Sequence, residues 1–67
     1  MERKINFANN LRELRKGAGY TQKQLADVLG VDQRTISVWE KGICEPSFEI
    51  LVKICDFFNE SVEYILF

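Results

Sequence analysis

Residues 21–42 read TQKQLADVLGVDQRTISVWEKG, and this stretch decides the fold. It opens on Thr21-Gln22-Lys23-Gln24, the Thr-x-x-Gln spacing of a capping box, in which side chain and backbone bond each other reciprocally at a helix start. Leu25, Ala26, Val28 and Leu29 follow, at spacings that put Leu25, Val28 and Leu29 on one helical face. Gly30 permits a sharp reversal, because it takes positive φ without steric cost. Asp32 offers a carboxylate to cap a second helix. Within that helix Ile36 and Trp39 point inward, while Gln33, Arg34, Ser37 and Val38 share another side. Gly42 stands where a helix commonly ends, at the C′ position.

Outward from this pair of helices, the rest of the chain reads as helix too. Phe7, Leu11 and Leu14 recur at the spacing of an amphipathic inner stripe, predicting a first helix over residues 6–16. Arg15 and Lys16 fall in its last turn, where positive charge suits the helix dipole, and Gly17 and Gly19 stop it. Tyr20 is expected to pack at the entry to the second helix. The second and third helices are predicted over 22–29 and 33–41. Ile43-Cys44-Glu45-Pro46 is a loop, since the residue before a proline is pushed out of the helical region. Ser47 caps a fourth helix that runs to residue 58, with Glu49 in its first turn and Phe48, Leu51, Ile54, Cys55 and Phe58 as its expected buried stripe. Asn59 closes it. Ser61 caps a short last helix with Val62, Ile65 and Leu66 as its apolar residues. No strand-like alternation, repeat or low-complexity tract occurs. An all-α, five-helix architecture over residues 1–67, read as one domain, follows.

Sixty-seven residues leave no room for a separate catalytic domain, and a chain this size buries only about 60% of its unfolded surface. No apolar run approaches the ~20 residues that cross a bilayer, and the charged start lacks a signal-peptide core. A cytoplasmic protein without membrane association is expected. Cys44 and Cys55 are read as free thiols, Cys55 as a packed one. With histidine absent, two cysteines make no structural zinc site, so no metal, cofactor or small-molecule ligand is expected. There is no nucleophile–base pair and no glycine-rich phosphate loop, which argues against an enzyme. The net charge is −1, a weak argument against a polyanionic partner. Its distribution softens the objection. Residues 1–42 hold eight Lys and Arg against five acids, whereas residues 43–67 hold Lys53 alone against five. A local basic face sets attraction to phosphate.

Two helices around a glycine turn, the second with Gln and Arg near its start, make the pattern of a helix-turn-helix that reads a DNA major groove. Gln33 has the amide geometry for a bidentate bond to adenine, Arg34 that for guanine, and Val38 can meet a thymine methyl. The backbone amides at the start of the second helix suit a phosphate, with Gln22 adding a side-chain donor. Ser37 either touches DNA or tolerates the approach of a groove wall. Trp39 is read as core, not as a stacking platform.

The chain resembles the lambda-repressor-like (Cro/C1, or XRE) helix-turn-helix regulators. The resemblance covers residues 7–66. It is carried by Leu11-Arg12-Glu13-Leu14-Arg15, Thr21-Gln22 before Leu25-Ala26, Gly30-Val31, Thr35-Ile36-Ser37 with Trp39-Glu40-Lys41-Gly42, and Pro46-Ser47. It implies phosphate contact by Gln22 beside Thr21, base contact by Gln33, Arg34 and Val38, and backbone proximity for Thr35 and Lys41. It also implies an ion pair between Arg15 and Glu40. One departure is the loop after the third helix, often basic in phage repressors and here Ile43-Cys44-Glu45-Pro46. That loop is expected to add little charge attraction.

Tyr64-Ile65-Leu66-Phe67 is an unusually apolar ending. Part of it can pack inward; the rest would be an exposed patch unless covered. The expectation is a two-fold homodimer through the last helix, with Tyr64, Ile65 and Phe67 as interface residues; plain intramolecular packing is the alternative. The predicted function is a sequence-specific double-stranded-DNA-binding transcriptional regulator, a repressor more than an activator, acting as a homodimer on a palindromic operator. The competing reading is a protein-interaction module of the same fold, an antitoxin or adaptor.

Overall fold

The computed structural model describes residues 4–67. These residues form α1 (Phe7–Gly17), α2 (Gln22–Leu29), α3 (Gln33–Glu40), α4 (Phe48–Phe58) and α5 (Val62–Leu66), with no strand among them. The sequence boundaries hold to within a residue. Three ends differ: α1 begins at Phe7 and continues through Gly17, and α3 stops at Glu40, leaving Lys41 as its C-cap.

The caps are made by the residues whose chemistry required it. Thr21 Oγ1 accepts from the Gln24 N–H at 3.0 Å, and Gln24 Oε1 accepts from the Thr21 N–H at 2.9 Å, which completes the capping box. Gly30 turns the chain at φ +72°, in the left-handed region. Asp32 Oδ1 accepts from the Arg34 N–H at 2.7 Å and opens α3. Ser47 and Ser61 cap α4 and α5 in the same manner, and Asn59 adopts φ +55° to end α4.

The core draws on every helix: Phe7 and Leu11 of α1, Leu25, Ala26 and Leu29 of α2, Ile36 and Trp39 of α3, Leu51, Ile54 and Cys55 of α4, and Ile65 of α5. Trp39 meets Phe7 edge to face, ring centroids 6.5 Å apart, an arrangement the ring quadrupoles favour. Tyr20 packs its ring edge-on against Phe57 at 5.3 Å. Cys55 is buried and Cys44 exposed, both as free thiols. Burial raises the Cys55 thiol pKa, with Asp56 and Glu60 pushing the same way, so it stays protonated and inert.

Two apolar assignments are corrected. Val28 is exposed. The buried arc of α2 runs from Leu25 through Leu29 to Ala26, and Val28 lies on the far side of Leu25. Phe48 is 86% exposed and is not part of the α4 stripe. Its phase is right, but it is the first residue of its helix. Helical side chains lean toward the N-terminus, so Phe48 reaches past the end of the core.

Two connections were not read from the sequence. Asn10 Nδ2 donates to the carbonyls of Ile65 at 3.1 Å and Tyr64 at 3.3 Å, while the Asn6 N–H donates to Leu66 at 2.6 Å. These tie α5 to the start of α1. Lys53 Nζ donates to the Leu29 carbonyl at 3.2 Å, so α4 supplies a cation to the C-terminus of α2. No described helix is long and apolar enough to cross a membrane.

Candidate nucleic-acid interface

Capping fixes where α2 and α3 begin, and the Gly30 turn brings their N-terminal ends to one side. Between them lies an open cleft of about 670 Å³. Gln22 and Lys23 line it from α2, and Gln33, Arg34 and Ser37 from α3. Four of the sequence-predicted residues, Gln22, Gln33, Arg34 and Ser37, therefore share one concavity. Thr21, Thr35, Val38 and Lys41 lie outside it. Thr21 and Lys41 are exposed; Thr35 and Val38 are half-buried.

Gln33 and Arg34 are exposed on the first turn of α3. The Arg34 guanidinium stands 3.6 Å from Asp32 Oδ1, with both side chains largely in solvent. Exposed pairs of this kind are held weakly, so the guanidinium is free to leave for another acceptor. The Arg34 N–H bond, more than the guanidinium, holds the Asp32 carboxyl below its ordinary pKa. The cap therefore stays ionised at neutral pH and keeps the start of α3 fixed.

Behind the cleft lies a buried ion pair. Arg15 Nε donates to Glu40 Oε2 at 2.7 Å and Nη2 to Oε1 at 3.0 Å, a two-pronged bond. The bond to Glu40 raises the pKa of Arg15 further above its ordinary value, against the opposing effect of burial. Arg15 Nη1 also donates to the Tyr20 carbonyl at 2.9 Å. Gln22 does more than line the cleft: its Nε2 donates to Glu40 Oε1 at 3.2 Å. That contact was missed, because nothing in linear spacing links position 22 to position 40.

The last helix needs one correction. Ile65 is fully buried in the core, so it is not available as an interface residue. Tyr64 and Phe67 flank it and are 56% and 42% exposed. Both line a second open concavity, together with Lys4 and Asn10.

A Helix-turn-helix family profile, HTH_3, matches residues 11–65, which include the whole cleft. The chain belongs to this helix-turn-helix family, of the Cro/C1 (XRE) type. Among its relatives is the HTH-type transcriptional regulator ImmR of Bacillus subtilis, 32% identical over 62 residues, an alignment covering 92% of this chain and 49% of ImmR. A transcriptional regulator from Listeria innocua superposes with a TM-score of 0.91 at 30% identity, covering 96% of this chain and 60% of that one. The P22 c2 repressor, solved in complex with a synthetic operator, superposes with a TM-score of 0.84 at 30% identity, covering 90% of this chain and 91% of the repressor. The helix-turn-helix chain thus spans about half the length of ImmR and nearly the whole of the c2 structure. Its fold is the DNA-binding fold of these regulators.

Proposed function

We propose that this helix-turn-helix protein is a sequence-specific, double-stranded-DNA-binding transcriptional regulator that acts in the cytoplasm as a repressor. In this reading α3 enters the major groove. Gln33 and Arg34 meet base edges, Val38 a thymine methyl and Ser37 the groove wall. Thr21 and Gln22 at the start of α2, with Thr35 on α3 and Lys41 at its C-cap, hold the phosphates. The observation that carries the reading is the shared cleft, in which a Gln and an Arg on the first turn of α3 face a second Gln at the start of α2. Base-reading and backbone-holding groups must stand in that relation, because phosphate contacts set the register in which base contacts are made. The likeness to a repressor solved on its operator supports the same docking.

A homodimer on a palindromic operator completes the reading, through Tyr64 and Phe67 beside α5. Two-fold symmetry in the protein then matches two half-sites about 34 Å apart. The chemistry assigned here is binding, not catalysis. A second reading, an interaction module whose partner is a protein, is favoured by the acidic residues 43–67 and by exposed Phe48, Tyr64 and Phe67. Salt separates the two. Duplex binding selected from a random pool should weaken steeply as salt rises, through counterion release. Absence of any salt-dependent duplex binding would leave the protein-partner reading in its place.

A further inference from the structure

The Arg15–Glu40 pair is placed where a purely structural pair need not be. Arg15 and Glu40 are each only 8% exposed, yet Glu40 Oε1 carries a third bond, from the cleft-lining Gln22. Glu40 is the last residue of α3 and Gln22 the first of α2. Arg15 comes from α1 and also holds the Tyr20 carbonyl, two residues before Gln22. Three helices and the approach to α2 therefore converge on one guanidinium–carboxylate contact.

The chemistry of the contact dictates an orientation. A carboxylate only accepts, so the Gln22 amide must turn its nitrogen, not its oxygen, toward Glu40. One of that nitrogen's two hydrogens is used there, and the second is left to donate elsewhere. Arg15 keeps the carboxylate itself from rotating, because both its oxygens are engaged. A glutamine side chain has much rotamer freedom to lose, and a group already held in place spares that loss on association.

We infer that Glu40, clamped by Arg15, is a positioning residue for the phosphate contact of Gln22, holding its amide with one N–H ready before DNA arrives. The inference rests on the DNA-binding reading above. It makes the end of α3, away from its base-reading turn, a contributor to affinity through α2. Because phosphate contacts carry no base information, the contribution is the same on any sequence.

The test is a double-mutant cycle read by DNA affinity. Dissociation constants are measured by fluorescence anisotropy for the unsubstituted chain, Gln22→Met, Glu40→Gln and the double variant. Each is measured on a selected duplex and on a scrambled one, and corrected for folded fraction by urea titration. Gln22→Met keeps the length and removes the amide. The expected result is a loss of about 3–10-fold for Glu40→Gln alone, alike on both duplexes, and little further loss from it in the Gln22→Met background. Equal losses in both backgrounds, or no loss at all, would overturn the inference. Should Glu40→Gln fold poorly, the unsubstituted chain answers by NMR. The side-chain amide hydrogens of Gln22 should resonate apart from those of exposed Gln33, and coincidence of the two pairs counts against positioning. If the unsubstituted chain shows no salt-dependent duplex binding, the DNA reading fails first, a different outcome from a cycle without coupling.

Discussion

Arg34 and Trp39 sit five residues apart on α3 and face opposite demands. The Arg34 side chain is almost wholly in solvent and stands 3.6 Å from Asp32. It contributes little to the fold, so its substitution isolates recognition. Arg34→Ala should leave the urea midpoint nearly unchanged. It should cost about 1–3 kcal/mol at one base position, with preference relaxed there. Binding-site selection on the variant is the check, and an unaltered site profile would remove Arg34 from the base-reading set. Trp39 is 4% exposed and packs on Phe7. Trp39→Ala should cost about 3–5 kcal/mol, as truncation of a buried aromatic does. A core in a domain of this size rarely supplies more than about 3–5 kcal/mol in total. The variant should therefore be largely unfolded by circular dichroism at 25 °C. Retained helicity with lost DNA binding would place the indole on the recognition surface instead.

At the scale of the element, the helices divide into those that hold themselves and those that are held. α2 carries its own capping box and α3 its own Asp cap, so their starts are locally encoded. α5 is five residues long, too short to be stable alone. It persists because Ile65 is buried and because Asn6 and Asn10 take its carbonyls. Asn10→Ala should then loosen α5 selectively. The expected global cost is about 0.5–1.5 kcal/mol, that of one or two lost hydrogen bonds. Amide exchange should quicken in α5 more than in α2 and α3, while binding to a single half-site stays close to that of the unsubstituted chain. Uniform quickening throughout would mean that Asn10 supports the whole core.

For the whole molecule, polarity and apolarity are distributed end to end. Residues 1–42 hold eight of the nine lysines and arginines, with Lys23 and Arg34 at the cleft itself, and the acids in residues 43–67 bring the net charge to −1. Tyr64 and Phe67 form an apolar rim beside α5 that the domain covers only in part. If that rim joins two copies, Tyr64→Ser with Phe67→Ser should lower cooperativity on a full operator and spare half-site binding. Effective concentration on linked half-sites would amplify even a weak dimer contact. Titrations of half-site and full-site duplexes decide it: equal losses on both would assign the two residues to the fold.

Much of this was legible in the chain because its signals are local. A capping box, an Asp cap, a glycine turn and an apolar stripe each lie within one or two helical turns, and local dihedral and hydrogen-bond chemistry decides them. Those signals fixed the number and order of the helices, their caps, and the outward placement of Gln33 and Arg34. The pairing of Arg15 with Glu40 was available too, though only through the family resemblance. What the tertiary structure decided lies across larger separations in sequence. Phe48 has the phase of a core residue and lies outside the core, because phase gives direction around a helix and not height along the molecule. Ile65 belongs to the core and not to a partner, because burial depends on how α5 is docked against α1. The bonds of Asn10 to α5, of Lys53 to Leu29 and of Gln22 to Glu40 exist only once the helices are packed. No periodicity within a single helix encodes a contact between two of them.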